Sequence, residues 1–358
     1  MRLALLSLPA VALLGLGGDA LADGMMKRKV PTPGGAAQSN ILRRGRELMG
    51  TTCEIVVAIP TGDDQGPAVE AIEAAFTEMA RIEALMTTWR PDSSVSKLNA
   101  RAGKGWTAID LDTAAVMERS QWGAKLSGGG FDITVGTFKG LWKFDDDVDG
   151  SIPADADVKA RLSHVGWKKV ELRRDLKKKS ASARVTDAKT LVTLGGSAKG
   201  YAVDRAVATL RERGFHDFIV QAGGDLYVAG DRGDRAWQVG IKDPRGGDPF
   251  ASIQLRDSTF STSGDYERFV IKDGKRYHHI LDPKTGYPVA HTRSCTVLTK
   301  DALTADVAST MLFVLGADKG LPVAKAAGIE AVWVTSGNQI IMTPGLAGRL
   351  TILRQPTP

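Results

Sequence analysis

The sequence contains few cysteines and few histidines, and this scarcity excludes several kinds of protein. Among its 358 residues there are two cysteines and five histidines. Cys53 and Cys295 can form at most one disulfide bond, so a domain held together by many cross-links is excluded. The two cysteines stand alone, whereas zinc sites draw on cysteines or histidines in closely spaced pairs, so a zinc protein is disfavoured.

Long apolar runs are scarce, and aromatic residues make up only 6% of the chain. The apolar segment at residues 3–16 is interrupted by Pro9 and is shorter than the roughly 18 residues that a membrane helix needs. The net charge is +6, with much of the excess in the clusters at residues 27–29 and 43–46. Few aromatics interleave with these clusters, so we interpret them as solvated flanks and not as a nucleic-acid site.

The first 22 residues have the pattern of a cleavable signal peptide. Arg2 precedes the apolar segment, and Ala20-Leu21-Ala22 supplies a cleavage site of the A-x-A type. No cysteine follows this site, so a lipoprotein is disfavoured. Residues 23–45, with several prolines and glycines, are predicted to form a flexible basic arm. We therefore expect an exported, periplasmic protein, and the hydrophobic content of 43% allows it a substantial core.

Residues 194–204 carry the most informative local pattern. Gly195, Gly196 and Gly200 lie close together, so the backbone there can turn tightly and approach a ligand. Apolar residues at helical spacing follow, and the amino end of a helix attracts anions such as phosphate. Lys199 adds a positive charge. Alone, the segment is equally typical of a structural turn, and it fits neither a Walker A loop nor the dinucleotide fingerprint.

Five further motifs follow this turn in order. They are QAGGD at 221–225, WQVGIKDP at 237–244, STSGDY at 261–266, HILDPKTG at 279–286 and ADVAST at 305–310. Together the six resemble the ApbE family, the FAD:protein FMN transferases, over residues 49–334. The resemblance implies one domain at 46–356 with an α+β, T-fold-like architecture of mixed β-sheets and flanking helices.

Hydrophobic periodicity gives a coarse order of elements that agrees with this class. It predicts a strand at 51–59, helices at 68–86, 112–126, 201–213 and 304–315, and short strands from residue 215 onward. A last helix and a hairpin near Gly337 are predicted to close the chain.

The resemblance also implies a magnesium site. Asp306 and Thr310 are four residues apart on a predicted helix and can share one face, with Ser309 beside them. Alone, such a pair is more often a surface or capping pair, but similarity to the family's A-D-x-x-[SD]-T pattern favours a metal site. The family's third ligand corresponds to Gly196, through its backbone carbonyl. Oxygen ligands suit magnesium, which can neutralise a diphosphate.

His279 is the histidine that fits the family's H-[IV]-[IL]-D-P-x-T-G pattern. An imidazole titrates near neutrality and can take a proton from an attacking hydroxyl. Without the pattern, a histidine packed on a strand would be the better interpretation. Asp282 belongs to a turn, and we expect it to orient either His279 or the acceptor hydroxyl.

Residues for FAD binding are carried over from the family one by one. The positions that match family contacts to FAD are Met49, Trp89, Gly130, Phe131, Asp132, Lys199 and Ile280. One position departs from the family, which usually has Asp immediately before L-G-G, where this chain has Thr193. A threonine keeps a hydroxyl but lacks the charge, which leaves the affinity for FAD open.

The implied reaction uses FAD as substrate. A Ser or Thr hydroxyl of a partner protein attacks the FMN phosphorus of FAD, and AMP leaves. The implied acceptor is a flavoprotein subunit of a membrane or periplasmic redox system, and association with the inner membrane is left open.

Two alternatives remain at this stage. A protein of the same fold could bind FAD without transferring FMN, or split it to FMN and AMP, and the sequence separates these activities poorly. A serine hydrolase of the penicillin-binding type is suggested by S-x-x-K at 94–97 and K-T-G at 284–286. However, no S-D-N element lies between them, and prolines flank the K-T-G.

Overall fold

An eight-stranded sheet forms the centre of the structure. The computed structural model describes residues 11–13, 39–144, 147–233 and 235–358. Across the central sheet the strands are β16 (Ile340–Met342), β15 (Glu330–Thr335), β14 (Thr292–Thr299), β11 (Ser258–Gly264), β8 (Asp225–Ala229), β7 (Phe218–Ala222), β3 (Thr51–Pro60) and β2 (Ser39–Leu48). All pairings between these neighbours are antiparallel.

Three smaller sheets and the helices complete the described part of the chain. The smaller sheets are β1 (Val11–Leu13) with β9 (Trp237–Ile241), β10 (Ala251–Leu255) and β17 (Leu350–Ile352); β4 (Thr107–Ile109) with β6 (Ser180–Val185) and β5 (Val170–Asp175); and β12 (Phe269–Lys272) with β13 (Lys275–His278). The α-helices are α1 (Gly66–Met86), α2 (Ser94–Ala100), α3 (Leu111–Leu126), α4 (Asp155–Leu162), α5 (Ala198–Glu212) and α6 (Ala302–Ala327). Short 3-10 helices cover Ile133–Phe138, Trp167–Lys169 and Pro344–Leu346.

The central sheet is covered on both faces, because its strands alternate between two cores. In β3, Cys53, Ile55 and Val57 belong to the core formed with the helices. Val56, between them, belongs to the core shared with β9 and β10, which includes Trp237. The sheet therefore lies between a helical layer and a small second sheet, and the predicted α+β class is confirmed.

Helix α6 lies in the helical layer and begins at a doubly capped end. Asp301 accepts a hydrogen bond from the amide of Thr304 at 2.8 Å, and Asp204 of α5 accepts the amides of Ala302 and Leu303 at 2.7 and 2.9 Å. The predicted helix at 304–315 is the first part of α6, which kinks at Gly316 (φ 70°). Its apolar window has a mean hydropathy of 1.3, enough to cross a membrane by length and composition, but 61% of that window is buried inside the protein, as in a core helix.

The amino-terminal predictions require one correction. The flexible arm was predicted over 23–45, but residues 39–45 belong to β2, which pairs with β3 along its whole length. The two-residue turn of Met49 and Gly50, both at positive φ, brings the strands together. Basic residues are tolerated in β2 because it is an edge strand, where Arg46 pairs with Glu73 at 2.5 Å. Within the predicted signal peptide, the structure describes only Val11–Leu13, which pair with β9; the rest of it and residues 23–38 lie outside the described residues.

The two cysteines are both buried and both free. They occupy β3 and β14, and the one disulfide that the sequence allows is not formed.

Candidate active site

The glycine-rich turn at 194–197 leads directly into α5. Thr193 Oγ1 accepts the amide of Gly195 at 3.3 Å, and the carbonyl of Leu194 accepts the amide of Ala198 at 2.8 Å, where the helix begins. A Cβ at Gly196 would lie 3.4 Å from the Phe131 ring and 3.7 Å from Thr310 Oγ1. The turn therefore lies against the first part of α6, as the resemblance implies for Gly196 and Thr310.

Gly200 lets α5 and α6 approach each other unusually closely. A Cβ at this position would meet the carbonyl oxygen of Ala302 at 2.2 Å and Cβ of Asp306 at 2.8 Å. The Gly200 amide donates to Asp306 Oδ2 at 2.9 Å. A glycine is required because any side chain would separate the helices, and the close approach fixes the carboxylate of Asp306.

Two buried carboxylates share one ammonium group at this crossing. Lys199 Nζ lies 2.9 Å from Asp225 Oδ2 and 3.4 Å from both carboxylate oxygens of Asp306. Burial raises the pKa of Asp306 to about 7, and Asp225 adds to this effect while Lys199 opposes it. Burial disfavours the ammonium of Lys199, but Asp225 and Asp306 outweigh it and raise the pKa of Lys199 above its usual range. The pair of carboxylates thus has more negative charge than Lys199 alone balances.

The residues at this crossing fit a magnesium ion. Asp306 and Thr310 of α6, with the backbone of Gly196 beside Thr310, carry hard oxygen donors, and burial raises the pKa of the Asp306 carboxylate. The described part of the chain contains no cluster of three or more His, Cys, Asp or Glu able to hold a metal. One carboxylate with neutral oxygens suits magnesium, which is usually bound by one or two carboxylates plus substrate phosphates and water.

Ser309 faces β11 and takes part in a buried set of hydroxyls. Its Oγ lies 3.0 Å from Ser261 Oγ and 2.9 Å from Ser263 Oγ, and it also lies 3.0 Å from the carbonyl of Asp306. These partners engage the hydroxyl within the protein, so a bond from Ser309 to a metal stays a prediction.

His279 follows β13 and is held by the backbone of Arg268. Its amide donates to the carbonyl of Arg268 at 3.1 Å, and Nδ1 lies 3.3 Å from the same oxygen. A carbonyl only accepts, so Nδ1 carries the proton and Nε2 keeps its lone pair. Burial, with Arg268 and His278, lowers the pKa of His279 well below 6.5. The ring is therefore neutral near pH 7 and can accept a proton at Nε2.

Asp282 is occupied by its own turn. Its Oδ1 accepts the amide of Lys284 at 2.9 Å, and its carbonyl accepts the amide of Gly286 at 2.8 Å. The structure thus supports the turn that the sequence predicts at Asp282. The hydrogen-bond partner of His279 Nδ1 is the carbonyl of Arg268 and not Asp282. The orientation of the acceptor hydroxyl by Asp282 stays a prediction.

The residues expected to hold the flavin nucleotide lie on several loops. Trp89 is 65% exposed, and Lys139 Nζ lies 3.9 Å from the centre of its ring. Met49 occupies the β2–β3 turn, and Ile280 is buried. Contact of these three side chains with FAD stays a prediction.

Asp132 and its neighbours have a structural role of their own. Asp132 Oδ1 accepts the amide of Thr134 at 2.8 Å, and Oδ2 accepts the amide of Trp167 at 2.6 Å. Phe131 packs beside Gly196, and Gly130 fits against Ser127. The Asp132 carboxylate is thus engaged with the polypeptide, and its contact with a nucleotide stays a prediction.

Sequence reasoning missed Asp225 and the serines of β11. Both lie in motifs that were recognised, at 221–225 and 261–266, but no role was assigned to them. Asp225 is 2% exposed and accepts a hydrogen bond from Ser261 Oγ at 2.5 Å. An acidic residue directly after two glycines at a hairpin turn was the available signal.

The serine hydrolase alternative receives no support from the geometry. Ser94 Oγ donates to Asp110 at 2.7 Å, at the start of α2. Lys284, Thr285 and Gly286 lie in a turn between Pro283 and Pro288 and belong to no strand.

Comparisons with known proteins agree on one family. The model of the ApbE family matches residues 49–333. An FAD:protein FMN transferase of Treponema pallidum is 31% identical, and the match covers 89% of this chain and 91% of that protein. The crystal structure of an ApbE protein from Thermotoga maritima has a TM-score of 0.77 at 32% identity, over 87% of this chain and 99% of that one. The flavin transferase ApbE from Vibrio cholerae has a TM-score of 0.75 at 27% identity, with the same coverage.

Proposed function

Because the chain belongs to the ApbE family and is an FAD:protein FMN transferase, we propose that it transfers FMN to a Ser or Thr hydroxyl of an acceptor protein in a magnesium-dependent reaction. AMP is the leaving group. The observation that carries this proposal is the convergence of Asp306, Thr310, Lys199 and the 194–197 turn at the crossing of α5 and α6.

His279 supports the proposed chemistry. In the proposed step the acceptor oxygen bonds to the FMN phosphorus, the bond from that phosphorus to the AMP oxygen breaks, and Nε2 of His279 takes the hydroxyl proton. The neutral ring with Nδ1 turned to the Arg268 carbonyl is the form that this step requires.

Asp306, Thr310 and the carbonyl of Gly196 would hold the magnesium ion. When bound, the ion would neutralise diphosphate charge and stabilise the charge that develops on the phosphate oxygens. Lys199, which Asp225 anchors at 2.9 Å, would add a fixed positive charge at the same crossing. The amide-rich turn at the start of α5 is suited to phosphate oxygens.

The acceptor is proposed to be a flavoprotein subunit on the extracytoplasmic side of the membrane. The support is the signal-peptide pattern of residues 1–22, with its A-x-A site at 20–22. Fractionation of cells that express a tagged full-length chain tests this location. Recovery in the cytoplasm with residues 1–22 intact would contradict it.

A labelling experiment tests the activity. The protein, FAD, magnesium and an acceptor flavoprotein domain are incubated and separated on a denaturing gel. Flavin fluorescence should remain on the acceptor, and EDTA or replacement of the acceptor Ser or Thr by Ala should abolish it. Flavin that is lost on denaturation would show binding without transfer.

A further inference from the structure

A continuous row of hydroxyl groups joins Asp225 to Thr310. Ser261 Oγ lies 2.5 Å from Asp225 Oδ1 and 3.0 Å from Ser309 Oγ, and Ser309 Oγ lies 2.9 Å from Ser263 Oγ. Ser263 Oγ then lies 3.0 Å from Thr310 Oγ1. The three serines and Asp225 are buried, with 9% exposure or less. The row therefore runs inside the protein, from β8 across β11 to α6.

The protons in this row have one consistent direction. Asp225 lies 2.9 Å from the ammonium of Lys199 and is an acceptor only, so the proton of Ser261 points to Asp225. Each hydroxyl has one proton, so Ser261 accepts from Ser309, Ser309 accepts from Ser263, and Ser263 accepts from Thr310.

The carbonyl of Asp306 offers Ser309 a competing acceptor at 3.0 Å. If Ser309 donated there alone, its lone pairs would face those of Ser261 at 3.0 Å with no proton between them. A buried oxygen pair without a proton is costly, so the direction from Thr310 to Asp225 is favoured.

We propose that Ser263, which contacts Thr310 directly, and Ser261 and Asp225, which act on Ser263 through Ser309, are positioning residues. Together they turn the proton of Thr310 into the protein and direct its lone pair at the magnesium ion. The inference rests on the proposed function, since it assigns a second layer of residues to that site. Groups that orient a metal ligand in this way typically change metal affinity by about 10- to 100-fold when they are removed.

Calorimetric titration of the full chain with magnesium chloride, in the absence of FAD, tests the proposal. Ser263→Ala removes the acceptor for Thr310 and should raise the dissociation constant for magnesium by about 10- to 100-fold. Ser263→Thr restores a hydroxyl and should recover most of the affinity. Asp225→Asn, whose amide can donate to Ser261 and so reverse the row, should also weaken binding.

Thr262→Val is the matched control. Thr262 Oγ1 lies 2.8 Å from Thr296 Oγ1 of β14, so this change removes one buried hydroxyl from β11 and breaks its hydrogen bond without touching the row. Its magnesium affinity should equal that of the wild type. Wild-type affinity in Ser263→Ala, or equal weakening in Thr262→Val, would overturn the proposal. Failure of the wild type itself to bind magnesium would instead refute the proposed metal site, and the positioning role with it.

Discussion

Substitution of Gly200 by alanine tests whether the close crossing of α5 and α6 builds the active site. The new Cβ would lie 2.2 Å from the carbonyl oxygen of Ala302 and 2.8 Å from Cβ of Asp306. Both distances are far shorter than a normal contact. The first obstacle is backbone, which no side-chain rotation can relieve, so the helices must move apart.

The expected cost in stability is moderate, but the expected cost in activity is large. Overpacking in a core typically costs about 1 to 3 kcal/mol, and the better helix propensity of alanine offsets about 1 kcal/mol of this. The free energy of unfolding should therefore fall by at most roughly 2 kcal/mol. A displacement of about 1 Å at Asp306 can cost on the order of 100-fold in rate.

Urea denaturation and single-turnover transfer of FMN, measured on the same preparation, separate the two effects. Gly66→Ala is the control, because its Cβ would approach only the exposed side chain of Asp64, at 3.3 Å. That variant should keep both stability and rate. A Gly200→Ala protein with the rate of the wild type would refute the claim that this crossing positions Asp306.

Three further substitutions test individual residues. Asp306→Ala should abolish transfer and its magnesium dependence while the circular dichroism spectrum is retained, because the only carboxylate proposed as a ligand is lost; wild-type activity would exclude this site. His279→Ala should bind FAD but transfer FMN about 10² to 10⁴ times more slowly. Since the pKa of His279 lies well below 6.5, the wild-type rate should be maintained at pH 6.5 and should fall only at more acidic pH. The free energy of unfolding should also fall as the pH drops below 6.5, because His279 then binds a proton in the unfolded state but not in the folded state. Thr193→Asp should lower the dissociation constant for FAD by up to about two decades if the added carboxylate meets a hydrogen-bond donor. A hydrogen bond to a charged group contributes roughly 1.5 to 3 kcal/mol, and the upper value corresponds to about two decades. An unchanged fluorescence titration would show that Thr193 does not contact FAD.

Local patterns in the sequence predicted those parts of the site that local geometry determines. The spacing of Asp306 and Thr310 places them on one face of α6 because both lie in a single helix. The turn before α5 was likewise predicted from its glycines. The strand at 51–59 and the helix at 68–86 correspond to β3 and α1, whose apolar residues have a clear period.

Features that depend on distant pairing could not be predicted in this way. Asp225 meets Ser261 only because β8 and β11 are neighbours in the sheet, and Ser261 meets Ser309 only because α6 packs on β11. No spacing along the chain encodes these contacts. The strand β2 was also mistaken for part of a flexible arm, since an edge strand with basic side chains lacks the alternation of a buried strand.

The most direct test of the account is the balance of products from FAD. The protein is mixed with FAD, magnesium and an acceptor flavoprotein domain, and AMP, free FMN and the mass of the acceptor are measured together. The account predicts one AMP for each acceptor molecule that gains FMN less water, with both products suppressed in the His279→Ala protein. Release of equal AMP and free FMN, with the acceptor mass unchanged, would contradict transfer and show hydrolysis of FAD.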